Sequence, residues 1–177
     1  ASRVIGLGSG MPQIFNDEAV IPALTAHGIS DHDARNYAIV GCVELTTHGN
    51  ALGWSDAAMF NLLKALELTL NHGVDQLTGE KTGLDLGDLT TYKTFEELEE
   101  AYAKQIDHFS DRMVTCITQV EKMHELLLPT PFLSAVIDDC LSKGQDVTQG
   151  GARYNFAGVQ AIQIANVADS LAAIKLL

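Results

Sequence analysis

With 177 residues and 46% apolar content, the chain has enough material to bury a core. Its formal net charge of −12 and pI near 4.7 argue against nucleic acid or an anionic membrane surface as a partner. The three cysteines, Cys42, Cys116 and Cys140, form neither a CxxC pair nor a zinc spacing, and no apolar run approaches the ~18 residues of a bilayer span. These features predict a reducing, cytoplasmic setting. The start at Ala1 and the unfinished pattern at Leu177 predict a segment of a longer polypeptide.

Val4, Ile5 and Leu7 predict a short strand entering a glycine-rich loop, residues 6–12. Gly6, Gly8 and Gly10 lack the GxGxxG order and no Walker lysine follows, so the loop reads as a structural turn. Asn16-Asp17-Glu18 predicts a helix start, with Gly28 as its stop. Residues 30–35 read as a polar one-turn entry to an apolar strand over 37–44. In an extended chain, residues i and i+2 point the same way, so Cys42 and Glu44 would share a face. Gly41 between them and Val40 would let a substrate or another backbone approach closely.

A loop over 45–53 precedes a helix expected from Asp56 to Asn71, capped by Ser55 and stopped by Gly73. Apolar residues cover most of its circumference, which predicts burial on more than one side. Residues 74–93 read as an irregular excursion with room for a short strand. Thr94 and Glu97 fit a capping box, and a long apolar stripe through Leu98, Tyr102, Ile106, Phe109, Met113 and Cys116 predicts a helix to about Leu127. That helix would be about 50 Å long, with the acids at 96–100 on its solvated face. Thr130-Pro131 predicts one further helix to Lys143, stopped at Gly144. A turn and short strand follow at 150–156, then a strand-to-helix passage over 161–177. Strands alternating with helices make the fold class α/β.

Taken alone, Cys42 reads as a buried structural thiol, as Cys116 and Cys140 do on their helices. Glu44 shifts that reading, because a carboxylate at an apolar site is costly unless used or paired. Desolvation predicts a raised pKa for Glu44, suiting a general acid or base. His48 lies near both in sequence. It reads as a hydrogen-bonding residue rather than a metal ligand, since no fourth ligand is evident.

Gly41-Cys42-Val43-Glu44, preceded by Asp33-Ala34-Arg35-Asn36-Tyr37, resembles the thiyl-radical loop of glycyl radical enzymes. The likeness is to the glycerol and diol dehydratase-like branch of the pyruvate formate-lyase family. It extends to Gly10–Asp17, to Gly53-Trp54-Ser55-Asp56, to Gly150–Asn155 and to Ala165–Ser170. The resemblance implies part of a ten-stranded β/α barrel of the pyruvate formate-lyase type, with long outer helices. Residues 1–177 would be a partial catalytic domain, and the glycine radical domain would lie outside this chain, whose sequence lacks the arginine-valine-any-glycine-tyrosine motif.

By the same resemblance, Cys42 relays the radical and abstracts a hydrogen atom from a small hydroxylated substrate. Glu44 takes the proton of the substrate hydroxyl as a neighbouring group leaves. Asp56 stands where dehydratases of the family carry an acidic partner for the substrate hydroxyls; its plainer reading is an acid in a first helical turn. No cofactor is expected on this segment itself. The radical would be installed by an S-adenosylmethionine iron-sulfur activating enzyme, in an anaerobic, cytoplasmic homodimer. Three departures qualify the likeness. Val43 stands where pyruvate formate-lyases proper have a second cysteine, which disfavours the alternative of a formate C-acetyltransferase. Leu45 and Ser55 stand where related dehydratases commonly show proline and histidine, which leaves the substrate open among diols, amino-alcohols, sulfonates and hydroxylated amino acids.

Overall fold

The computed structural model describes residues 2–8 and 10–176. Ala1, Ser9 and Leu177 lie outside it, and with them one residue of the glycine-rich loop and the last residue of the passage expected over 161–177. The elements run α1 Ser2–Ile5, α2 Asp17–Ala26, α3 Asp31–Arg35, β1 Tyr37–Val40, β2 Glu44–Thr47, β3 Ala51–Leu52, β4 Ala58–Asn61 and α4 Leu62–Leu70. They continue with α5 Phe95–Leu127, α6 Pro131–Val136, α7 Cys140–Lys143, a 3-10 turn Val147–Gln149, β5 Tyr154–Asn155, β6 Val159–Ile162 and α8 Ile164–Leu176. The chain divides into two compact units, Ala1–Ser55 with His124–Ala157, and Asp56–Met123 with Gly158–Leu177.

In the first unit, α1 replaces the strand expected at Val4–Leu7. Gly6 N and Leu7 N donate to the carbonyls of Ser2 and Val4 at 3.0 and 3.1 Å, so local turns satisfy donors that a strand would need to pair elsewhere. Helix α2 begins as expected, with the Asn16 side chain accepting from Glu18 N at 3.0 Å. Ser30 caps α3 in the same way, accepting from Asp33 N at 3.1 Å.

The single strand expected over 37–44 is instead half of an antiparallel hairpin. β1 and β2 pair from Tyr37↔Thr47 to Val40↔Glu44. Gly41, at φ 61°, turns the chain back where the apolar pattern alone continues it. β3 and β5 pair in parallel, Ala51 opposite Tyr154.

The one helix expected from Pro131 to Lys143 breaks in two. Asp138 N leaves the helical ladder to donate to Gly49 O at 2.8 Å, and Asp139 takes the left-handed conformation at φ 76°. The break drives Cys140 inward, where it packs with Val147 and Ala152 against Leu52 and Ile137. Asp146 staples this region. Its carboxylate accepts from Thr130 N at 2.9 Å, Ser134 Oγ at 2.8 Å, Thr148 N at 3.0 Å and Thr148 Oγ1 at 2.7 Å. Burial alone would raise its pKa, but these bonds overcome that and hold the carboxyl well below the usual carboxylate range.

In the second unit, β4 and β6 pair in parallel from Ala58↔Val159 to Asn61↔Ile162. This ladder claims residues 58–61, so the helix expected from Asp56 starts only at Leu62. Its cap is Asn61, which accepts from Lys64 N at 2.9 Å, and not Ser55. α4 is otherwise as buried as its composition implies: Ala65 and Leu66 form a core with Tyr102 and Val167, flanked by Phe60, Ile106 and Leu171. The excursion after α4 is irregular, held by isolated bridges Asn71↔Asp88 and Val74↔Lys81. The fully buried Gln105 of α5 accepts from Leu84 N at 3.0 Å and ties the excursion to that helix.

α5 begins with Glu97 N donating to Thr94 Oγ1 at 3.3 Å, while the Glu97 carboxylate reaches Lys93 N at 2.7 Å, one residue beyond the expected cap contact. Leu98 and Tyr102 are buried, as the stripe predicts, and Ala101 and Gln105, outside the stripe, are buried beside them. Cys116 is exposed, against its reading as a packing residue, and Val120 and Met123 are exposed on the same helix. Among the described residues, no helix is long and apolar enough to cross a membrane.

Candidate active site

Hairpin β1–β2 carries the candidate residues at its tip. Three residues, Gly41, Cys42 and Val43, join strands whose last pair is Val40↔Glu44. The backbone reversal demands glycine twice over. The φ of Gly41 is costly for an L side chain, and a Cβ there would stand 2.6 Å from Glu44 Oε2. That space is filled because Glu44 folds back over the loop. Its Oε2 accepts from Cys42 N at 2.9 Å and Val43 N at 3.1 Å, and the Cys42 thiol donates to Oε1 at 3.7 Å.

Cys42 and Glu44 are therefore brought together, though not as two residues on one face of a strand. The tip is also more open than expected: Cys42 is exposed and Glu44 half-buried. The expected rise in the Glu44 pKa is reversed. Hydrogen bonds from backbone N–H groups, foremost its own and that of Val43, hold it below the usual carboxylate range, and burial opposes them without prevailing. Glu44 is thus an ionised acceptor at neutral pH, with a hydrogen-bearing sulfur beside it.

The base of the hairpin is clamped from several sides. Tyr37 donates its hydroxyl to Asp17 Oδ1 at 2.8 Å, joining β1 to α2. His48 Nδ1 meets the Asn36 carbonyl at 2.9 Å, which accounts for it as a hydrogen-bonding residue. Among the described residues, no three histidine, cysteine or acidic side chains group as a metal site. Asp33, in α3, accepts from Tyr154 Oη at 2.7 Å and Ser30 Oγ at 2.8 Å. These bonds, Tyr154's first, bring its pKa down to about 2 against the opposing effect of burial; His32 and Arg153 assist. Arg153 also pairs with Asp138 and Asp139 at 3.4 and 3.2 Å. Residue-by-residue reading did not single out Ser30, Arg153 or Tyr154. The available signal was that 33–37 and 150–155 both lie in stretches with a family likeness.

Asp56 is exposed, in the turn before β4, and opens the second unit, whereas Cys42 and Glu44 belong to the first. It is not a first-turn helical acid, since α4 begins at Leu62. Ser55 Oγ donates to Gly53 O at 3.4 Å and caps nothing.

Known proteins resemble this chain in sequence and in fold. The (2S)-3-sulfopropanediol dehydratase of Klebsiella oxytoca is 41% identical over 171 residues, covering 97% of this chain and 21% of that protein. A solved structure concerned with 1,2-propanediol dehydration in Roseburia inulinivorans is 42% identical with a TM-score of 0.89, covering 100% of this chain and 22% of the other. A glycyl radical enzyme from Archaeoglobus fulgidus is 42% identical with a TM-score of 0.84, covering 90% and 20%. The chain thus spans about a fifth of the length of these relatives. It shares their α/β fold over that span, and its parallel strand pairs and long helix are consistent with it. Residues 1–177 match the family described as pyruvate formate lyase-like, and the chain belongs to that family.

Proposed function

We propose that this chain supplies the hydrogen-abstracting thiol and the proton acceptor of a glycyl radical lyase that eliminates water, or a comparable leaving group, from a small hydroxylated substrate. The observation that carries the reading is the contact between Cys42 Sγ and Glu44 Oε1 at the tip of a glycine-turned hairpin. When present, a glycyl radical supplies a hydrogen-atom acceptor able to take hydrogen from sulfur. The exposed position of Cys42 suits an acceptor that approaches from outside this segment.

Having lost its hydrogen atom, Cys42 takes one from the hydroxyl-bearing carbon of the substrate. That step makes the remaining hydroxyl a stronger acid. Ionised Glu44 accepts its proton while the neighbouring C–O bond breaks. The departing hydroxide and the proton held by Glu44 together make the water lost. Cys42 then returns a hydrogen atom to the product carbon, so sulfur and carboxylate end as they began. Bonds from Cys42 N and Val43 N fix the carboxylate beside the thiol, an orientation that raises the effective concentration of both groups at the substrate.

Asp56, exposed before β4, is assigned an accepting role toward the substrate hydroxyls. The radical is installed by an S-adenosylmethionine iron-sulfur activating enzyme, and the complete protein works as a cytoplasmic homodimer in an anaerobe. Replacing Cys42→Ser in the complete, activated enzyme abolishes turnover of a vicinal diol while the glycyl radical signal in electron paramagnetic resonance persists. Turnover by that variant would remove the assignment.

A further inference from the structure

Tyr154 touches the segments that flank the Cys42 hairpin on both sides. On the entering side, its phenol oxygen donates to Asp33 Oδ2 at 2.7 Å and accepts from Ser30 N at 3.1 Å, so it grips α3 at both its cap and its first turn. On the leaving side, its backbone N donates to Asn50 O at 3.0 Å, and it pairs with Ala51 in the parallel β3–β5 ladder. Its ring stacks on Phe156, centroids 6.4 Å apart and planes 9° from parallel, which limits the ring's freedom to swing. Its neighbour Arg153 anchors the same turn to Asp138 and Asp139 and reaches Asp33 at 3.9 Å.

We infer that Tyr154 is a positioning residue for the Cys42 loop, acting through Asp33 and Ser30; this rests on the proposed role of Cys42. The hairpin is a lever. The four residues of β1 place the tip about 13 Å from the base of the hairpin at Tyr37, at ~3.3 Å per residue. A tilt of about 5° at the base then moves the sulfur by about 1 Å, a displacement that costs about 100-fold in rate where reacting atoms must be aligned. Loss of the phenol oxygen frees the entering side while leaving the ring and the β5 backbone in place.

The test is Tyr154→Phe in the complete enzyme, read three ways. Activated variant retains its glycyl radical signal and a KM within about twofold of the parent, while kcat per radical falls by about 10- to 100-fold. Amide hydrogen exchange at Cys42 and Val43 quickens, a readout independent of radical chemistry. Unchanged exchange at the tip overturns the inference even if Cys42→Ser behaves as expected. Changed exchange with unchanged kcat per radical overturns the link from clamp to sulfur. Turnover by Cys42→Ser, by contrast, strikes the proposed function and leaves the exchange result standing. Asp33→Asn keeps an acceptor for the phenol and serves if Tyr154→Phe does not fold. It moves exchange and kcat in the same direction by a smaller factor, and no change in either overturns the inference.

Discussion

Gly41→Ala tests the geometry of the tip most sharply. The residue sits at φ 61°, where an added Cβ costs about 1–2 kcal/mol. The same Cβ would stand 2.6 Å from Glu44 Oε2, too close for either to remain. Because the carboxylate ends a flexible side chain, it yields, and the bonds from Cys42 N and Val43 N are lost with it. Glu44 then titrates closer to the ordinary glutamate value than in the parent. In the parent, the lowered folded-state pKa stabilises the protein above the ordinary value, and that contribution disappears as pH falls through the lowered one. The variant loses this acid dependence together with about 1–2 kcal/mol at neutral pH. Carbon-detected NMR titration of the Glu44 carboxyl, alongside urea denaturation, measures both effects. A Glu44 titration identical to the parent's would refute the reasoning, since it would mean the carboxylate does not depend on the Gly41 turn.

Other outcomes follow from the same contacts. His72 faces Asp85 with Nδ1 at 3.0 Å and Asp88 with Nε2 at 3.3 Å; the Asp85 bond comes first among the causes raising its pKa, while burial opposes them. Its stabilising effect is present below the ordinary histidine value and is lost as pH rises through the raised one. Exchange of the His72 amide, which donates to Gly87 O at 3.0 Å, should therefore quicken with pH beyond the intrinsic trend, and a His72 ring titrating at or below the ordinary value would contradict this. Asp146→Ala leaves Thr130 N and Thr148 N without their carboxylate acceptor and should cost about 2–4 kcal/mol in denaturant unfolding; a loss below about 1 kcal/mol would show that water replaces the staple.

What could be read in advance follows a physical division. Caps built from neighbouring residues were legible: Asn16 before α2 and Thr94 before α5, with the acidic first turn of α5 and the Leu98–Tyr102 part of its stripe. Elements decided by distant partners were not. Residues 58–61 read as helix because their strand character comes from pairing with β6, 101 residues later. The break at Asp138 depends on Gly49 and Arg153, neither of which leaves a mark in the local periodicity. At the site, the association of Cys42 with Glu44 was foreseen for the wrong geometric reason. Apolar flanks suggested a continuous strand, whereas the glycine turns it, and the direction of the Glu44 pKa changed with it because the turn exposes backbone N–H groups to the carboxylate. Asp56 shows the limit of local patterning: it reads as an acid in a first helical turn, but α4 begins only at Leu62.

The proposed division of labour between sulfur and carboxylate can be measured directly with a vicinal diol deuterated at its hydroxyl-bearing carbon. In the activated, complete enzyme, Glu44→Gln should still wash deuterium from recovered substrate through Cys42 while eliminating water at least about 100-fold more slowly, the range expected for loss of a positioned proton acceptor. Elimination by Glu44→Gln at the parent rate, or deuterium loss in Cys42→Ser, would contradict the account.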